Sequence, residues 1–262
     1  MTITARNYAA QSLRAMSAAA SRLEGERKQE GKIAKMIATM IPSAVHFAVP
    51  DGGKILDDGL RGLVGLEIRL PYKTITLEFF SDGARYCIVA SEVDGHGIIV
   101  LCSADMGNGW VFLPVALFPR DVSADGTFGC QMVNPDGSDA SSFSGAAAAS
   151  FCCVAVLELC EALSCSNVDS EVIEPVDQRK NAKRIKQGKL PIYETRRLVI
   201  KAPLTRSATG HAHGGSDRQT PREHLRRGHI RRLQDGRQIW VQSCVVGNRS
   251  NGVIHKSYAV TN

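Results

Sequence analysis

The stretch Thr74-Ile-Thr-Leu-Glu-Phe-Phe80, followed by Ser81-Asp-Gly and by Arg85-Tyr-Cys-Ile-Val-Ala90, decides the fold class. Each flank is a run of β-branched, aromatic and aliphatic residues of strand length, and the Asp-Gly pair between them is typical of a hairpin turn. Similar runs follow with no helical pattern between them, at 97–102, 110–118 and 127–133. Consecutive strands of this kind predict an antiparallel meander rather than parallel βαβ units.

Two helical regions flank this meander. The first forty residues carry apolar side chains at helical spacing, and Pro42 ends the pattern. Residues 144–164 form one Ala-rich stretch, whose small side chains favour close packing on a sheet. The predicted class is α+β: an N-terminal helical segment, an antiparallel sheet with one Ala-rich packing helix, and a basic C-terminal β-hairpin lobe. The N-terminal helices either cover the sheet of their own chain or join a second copy in a homo-oligomer.

Charge is distributed unevenly along the chain. Residues 178–262 hold 19 Lys and Arg against 4 Asp and Glu, whereas the other 177 residues hold 13 against 22. We therefore expect three parts: a helical arm at 1–44, an acidic α+β domain at 45–177 and a basic lobe at 178–262. Such asymmetry is typical of a chain that binds a polyanion, usually nucleic acid. The alternative is that the basic lobe docks on the acidic domain and the two fields cancel.

Two segments of the basic lobe have recognisable local patterns. Residues 179–189 contain six Lys and Arg in eleven positions, and Gly188 is placed like a helix C-cap. Residues 228–247 predict a hairpin turned by Asp235-Gly236, with His229 and Arg231 on one face and Arg232 on the other. Tyr193, beside the first segment, is a candidate for stacking on a nucleic-acid base.

The eight cysteines indicate a reducing compartment. Most of them lie inside apolar runs, as buried thiols do, and no Cys-x-x-Cys pair marks a structural zinc site. We expect free thiols, no metal site and no cofactor. The N-terminus has no apolar segment like that of a signal peptide, and no run is apolar enough to predict a membrane span. No membrane partner is therefore expected.

One motif resembles a known group of proteins. Residues 221–229, Pro-Arg-Glu-His-Leu-Arg-Arg-Gly-His, together with 189–200 and 66–79, are similar to uncharacterised proteins of tailed bacteriophages and prophages. Those proteins share a Pro-Arg-x-His-x-Arg-Arg-Gly-His core, and the resemblance extends over residues 45–262. It implies a phage or prophage origin, and hence action in the cytoplasm of a bacterial host. It implies no particular activity.

The same motif supplies the candidate site. Arginine binds phosphate bidentately and imidazole transfers protons near neutral pH, so a phosphate-binding face is the first interpretation. The predicted nucleic-acid-binding residues are Arg179, Lys180, Lys183, Arg184, Arg222, Arg226, Arg227, His229, Arg231 and Arg232. The sharper alternative is catalytic, with His224, His229 and His255 as candidate acid and base. The structural alternative is that these side chains only brace a turn.

Three functions from different classes follow from these patterns. The first is a phage-encoded accessory protein that binds DNA, RNA or another polyanion through its basic lobe. The second is an inhibitor or modulator of a host protein, for example one of a defence system, in which the acidic part imitates nucleic acid. The third is a metal-independent nuclease that uses the His/Arg cluster.

Overall fold

The computed structural model describes residues 5–23, 28–56, 68–93, 97–118, 130–134, 144–201, 222–226, 229–241, 244–246 and 248–253. The helices are α1 (Tyr8–Arg22), α2 (Lys28–Met40), α3 (Ser144–Ser164) and α4 (Gln178–Lys186), with a 3-10 turn at Ile41–Ser43. The strands are β1 (Val45–Ala48), β2 (Thr74–Ser81), β3 (Ala84–Val93), β4 (Gly97–Asp105), β5 (Trp110–Phe112), β6 (Val115–Phe118), β7 (Gln131–Val133), β8 (Val168–Glu174), β9 (Thr195–Ile200), β10 (Arg222–Arg226), β11 (His229–Arg232), β12 (Gln238–Val241), β13 (Cys244–Val246) and β14 (Asn248–Val253).

Nine strands form one mixed sheet. Eight of them follow the order β7-β6-β4-β3-β2-β1-β9-β8, and β5 also pairs with β4. The β2–β3 and β3–β4 pairs are antiparallel, which confirms the meander at the centre of the sheet. β1, in contrast, is parallel to both β2 and β9, so the sheet is not wholly antiparallel. The long connection between β1 and β2 allows this, because parallel neighbours need a crossover rather than a hairpin.

Helices cover both faces of the sheet, and the α+β class is confirmed. Met16 of α1 and Ile37 of α2 pack on one face, against Val89 and Leu101. Helix α3 packs on the opposite face, where it contributes to a core built from the other side chains of the same strands. Of the two roles expected for the N-terminal helices, the structure shows that they cover the sheet of their own chain. A homo-oligomer remains a prediction.

A buried carboxylate fixes the start of α1 on the sheet. Glu78 of β2 accepts the backbone N–H groups of Arg6 and Tyr8, both at 2.8 Å. It also accepts those of Asn7 at 3.3 Å and Ala9 at 3.5 Å. The first turn of a helix presents free N–H donors and a partial positive charge, both of which a carboxylate satisfies. Burial raises the pKa of Glu78, and the four N–H donors oppose that rise.

A second buried carboxylate plays a similar part on the other face. One oxygen of Glu158, on α3, accepts the backbone N–H groups of Ile55 at 2.6 Å and Leu56 at 3.0 Å. Asp105, at the end of β4, is also buried and pairs with Arg85. Part of the negative charge of residues 45–177 is therefore used inside the fold and is not presented at the surface.

The main sheet extends across the boundary that composition suggested between residues 177 and 178. The acidic stretch 168–175 contains the edge strand β8. β9, which belongs to the basic part of the sequence, lies between β8 and β1. Composition did not show this, because charged side chains on an edge strand can face solvent while its backbone completes a sheet.

Candidate nucleic-acid interface

Helix α4 is the best-defined part of the predicted binding surface. Asp177 caps its start by accepting the backbone N–H of Lys180 at 3.0 Å. At its end, the N–H of Lys189 donates to the carbonyl of Arg184 and the N–H of Gly188 to that of Ile185, both at 2.9 Å. This is a Schellman motif, and Gly188 has the positive φ of 69° that it requires. The predicted helix and its glycine cap are confirmed.

Polar contacts hold α4 in place, since none of its residues is buried. The side-chain amide of Asn181 donates to the carbonyl of Ile192 at 2.7 Å, and its oxygen accepts the N–H of Ile192 at 2.9 Å. We refer to these two bonds as the Asn181 clamp. Arg184 Nε donates to the carbonyl of Leu190 at 2.9 Å, and Arg14 of α1 donates to that of Gly188 at 2.6 Å. The helix is thus fixed without using most of its cations.

Three exposed cations on α4 have no carboxylate partner within the described ranges. Arg179, Lys183 and Lys186 are spaced four and three residues apart, so they lie along one side of the helix. We refer to these three residues as the α4 stripe. The other two predicted contacts on α4 are partly engaged: Lys180 lies 3.7 Å from Asp177, and Arg184 is bonded as described above.

The cations of β9 are in a different electrostatic state, because each has an acidic partner nearby. The register places Arg197 directly opposite Glu171 of β8. Three ion pairs result: Arg197–Glu171, Lys201–Asp169 at 2.7 Å and Arg196–Glu194 at 3.0 Å. The expected cancellation between the acidic and basic parts is therefore found at β8 and β9. It does not extend to the α4 stripe.

The second basic region is the β11–β12 hairpin, which confirms the predicted turn at Asp235-Gly236. His229 pairs with Val241 and Arg232 with Gln238 across the two strands. Because side chains alternate along a strand, His229 and Arg231 share a face that Arg232 does not. Arg231 is exposed and pairs with no carboxylate in the part of the chain that the structure describes.

A second asparagine holds this hairpin beside the start of β8. The side-chain amide of Asn167 donates to the carbonyl of Trp240, and its oxygen accepts the N–H of Trp240, both at 2.7 Å. We refer to these bonds as the Asn167 clamp. The N–H of Ser166 also donates to the carbonyl of Gln238 at 2.9 Å. The hairpin is thereby anchored to the main sheet through the residues that precede β8.

The two basic regions lie at opposite ends of the β8–β9 ladder. Helix α4 is part of the connection that leaves Glu174 and returns to Thr195, and these two residues are paired. The hairpin contacts residues 166–167, next to the far end, where Val168 pairs with Ile200. At about 3.3 Å per residue, the length of β9 separates these ends by roughly 17 Å. The predicted contacts on α4 and on the hairpin therefore form two regions rather than one cluster.

The remaining candidates fall in or near a separate small sheet. Strand β10 contains Arg222, His224 and Arg226 and pairs with β13 and β14. The side chains of these three residues lie outside the described residues, as do Arg227 and His255. His224 and His229, two of the three predicted catalytic histidines, belong to different sheets.

A buried histidine that the sequence patterns did not indicate lies on β1. His46 Nδ1 is 2.6 Å from the hydroxyl oxygen of Thr76, and its ring stacks on Tyr193 with a centroid distance of 4.3 Å. Burial lowers the pKa of His46 to about 4, so its imidazole is neutral at physiological pH. One face of Tyr193 is therefore occupied by His46, and this contact helps to position the segment that follows α4.

No protein-family model, curated protein or solved structure matches the chain. None of the helices in the described ranges is both long and apolar enough to cross a membrane. Within the same residues, no three His, Cys, Asp or Glu side chains converge as metal ligands would. The charge and geometry of the two basic regions are thus the features that indicate a function.

Proposed function

We propose that this chain binds nucleic acid, or another polyanion, mainly through the α4 stripe, with the β11–β12 hairpin as a second contact. The observation that carries the proposal is the contrast between α4 and β9. The cations of β9 are neutralised by adjacent carboxylates, whereas the α4 stripe keeps its charge on a helix that is capped at both ends. Exposed, unpaired and positioned cations are what phosphate groups bind.

The setting of this activity follows from the motif resemblance. Under the proposal, the chain is a phage-encoded accessory protein that acts in the cytoplasm of a bacterial host. Its ligand there is DNA, RNA or another polyanion, and its contacts are to the phosphate backbone. Backbone contacts provide affinity and position without base specificity.

The buried carboxylates favour nucleic acid over the host-protein alternative. Imitation of nucleic acid by the acidic part requires carboxylates at the surface. Glu78, Asp105 and Glu158 are buried, and Asp169 and Glu171 are paired with cations of β9. These five acidic residues therefore contribute little to an acidic surface that a host protein would recognise.

Salt dependence tests the proposal directly. For duplex DNA, the logarithm of affinity falls with the logarithm of salt concentration, with a slope of about −0.9 per phosphate contact. If all three residues of the α4 stripe contact phosphates, the variant Arg179→Gln/Lys183→Gln/Lys186→Gln should have a slope shallower by about 2.7. Between about 50 mM and about 200 mM salt, the wild-type chain should then lose about 40-fold more affinity than the variant. Fluorescence anisotropy with a labelled duplex and a labelled single strand measures both quantities.

A matched control removes the same charge from β9. The variant Arg196→Gln/Arg197→Gln/Lys201→Gln also lowers the net charge by three, but it removes cations that are already paired. We expect its salt slope to stay close to that of the wild type. Equal effects of the two triple variants would show that only net charge matters and would refute the assignment to α4. Absence of binding to either nucleic acid at low salt would refute the function itself.

A further inference from the structure

Two adjacent cysteines of α3 contact two different thiols. The side chain of Cys152 is hydrogen-bonded to Cys102 of β4. The side chain of Cys153 is hydrogen-bonded to Cys130, which immediately precedes β7. All four thiols are unpaired in the structure. Two sulfur atoms in hydrogen-bond contact need only a short further approach to reach disulfide geometry.

The two pairs differ in their access to solvent. Cys102 and Cys152 are 1% and 0% exposed, and both lie in the main core. Cys153 is 3% exposed, whereas Cys130 is only partly buried. A small dissolved oxidant therefore reaches one sulfur of the second pair and neither sulfur of the first.

The contact also favours reaction at the accessible sulfur. The thiol of Cys153 donates to the sulfur of Cys130, which lowers the pKa of Cys130. The pKa of Cys153 is raised, because its proton is held by this bond and the residue is buried. The thiolate is the form of cysteine that attacks an oxidant, so the pair has a nucleophilic outer sulfur and a protonated inner one.

We propose that Cys130 and Cys153 are a reversible oxidation site, which closes to a disulfide when the chain meets a hydroperoxide. The Cys130 thiolate attacks the terminal peroxide oxygen, the O–O bond breaks, and the departing hydroxide or alkoxide takes up a proton. Cys130 is then a sulfenic acid, oxidised by two electrons. The Cys153 sulfur attacks it, the S–O bond breaks, and the hydroxyl group leaves as water with the proton of Cys153. With hydrogen peroxide, two thiols and one peroxide give one disulfide and two waters.

The disulfide would tie the end of the main sheet to α3. β7 is the outermost strand on its side and pairs only through Val115 to Leu117 of β6. A covalent bond from the residue before β7 to the middle of α3 restrains this short edge strand. The site is far along the sheet order from α4, so its chemistry is testable separately from nucleic-acid binding.

The experiment uses the full-length reduced chain and hydrogen peroxide at low molar excess. After the reaction, free thiols are alkylated and the cysteine-containing peptides are identified by mass spectrometry. We expect two of the eight thiols to be lost, a cross-linked peptide containing Cys130 and Cys153, and full recovery after dithiothreitol. The matched control is internal: Cys102 and Cys152 make a similar contact but are buried, and they should stay alkylatable.

Two variants make the assignment falsifiable. Cys130→Ser, at a partly exposed position, should retain all seven of its thiols under the same treatment. Cys153→Ser should leave Cys130 to oxidise to sulfinic acid, which dithiothreitol does not reverse. Thermal melting monitored by circular dichroism establishes that each variant is folded. The proposal is overturned if wild-type Cys130 does not react, if it oxidises without a link to Cys153, or if Cys102 and Cys152 cross-link first.

Discussion

The Asn181 clamp is predicted to control how firmly α4 is held and, through that, how well the chain binds nucleic acid. Replacing Asn181 with Ala removes both of its hydrogen bonds to Ile192. The contacts of Arg184 and Arg14 remain, and so do the two caps of the helix. The substitution therefore weakens the attachment of α4 without changing its charge.

The magnitude follows from the two bonds that are lost. A neutral hydrogen bond contributes about 1 kcal/mol net, so the free energy of opening α4 should fall by about 2 kcal/mol. This corresponds to about a 30-fold increase in the population in which α4 is detached. A free helix of nine residues is marginal in water, so detachment should be followed by unfolding of the helix.

Hydrogen exchange of the backbone amides in α4 measures this opening. We expect exchange of the amides of residues 182–186 to accelerate about 30-fold in Asn181→Ala, as calculated from the 2 kcal/mol above. Affinity for a DNA duplex at low salt should decrease at the same time. Asn167→Ala is the matched control, because it removes two similar bonds from the other basic region. It should accelerate exchange in β11 and β12 and leave α4 unchanged.

Two results would refute this reasoning. If α4 exchanges at the wild-type rate in Asn181→Ala, the clamp does not hold the helix. If Asn167→Ala accelerates exchange in α4 as much as Asn181→Ala does, the two basic regions are not held independently. A loss of global stability, measured by urea unfolding, would separate general destabilisation from either result.

Two further predictions concern the buried polar groups. Glu78→Gln should lower the free energy of unfolding by about 2 kcal/mol, since an amide offers acceptors to only half of the four N–H donors while the buried charge is removed. Glu158→Gln should cost less than about 1 kcal/mol, because a single oxygen accepts both of its bonds; equal losses in urea unfolding would contradict this account. His46 has its pKa lowered from 6.5 to about 4 in the fold, so its stabilising contribution is present above pH 6.5 and is lost as pH falls through 4. That loss is about 3 kcal/mol, and His46→Gln should remove it from the pH dependence of unfolding; identical pH profiles for the two proteins would show that another group is responsible.

Local features of the molecule were predictable from the sequence because they depend on neighbouring residues. The Ser81-Asp-Gly and Asp235-Gly236 turns were predicted from turn chemistry, and both hairpins are present. Gly188 predicted the end of α4 because a left-handed residue stops a helix. The pairing partners of β1 were not predictable, since strand periodicity states which face is buried but not which strand lies alongside.

The sequence by itself determined the α+β class, the Ala-rich helix, the position of the basic helix and the unequal distribution of charge. Only the tertiary structure decided which cations remain available. Arg197 and Arg179 are equally basic in sequence, but β-sheet register places Arg197 opposite Glu171 and leaves Arg179 on an exposed helix. Electrostatic interaction depends on distance through space, and residues distant in sequence set that distance. The same reason explains why the cap that Glu78 provides to α1 and the contact between Cys130 and Cys153 could not be foreseen.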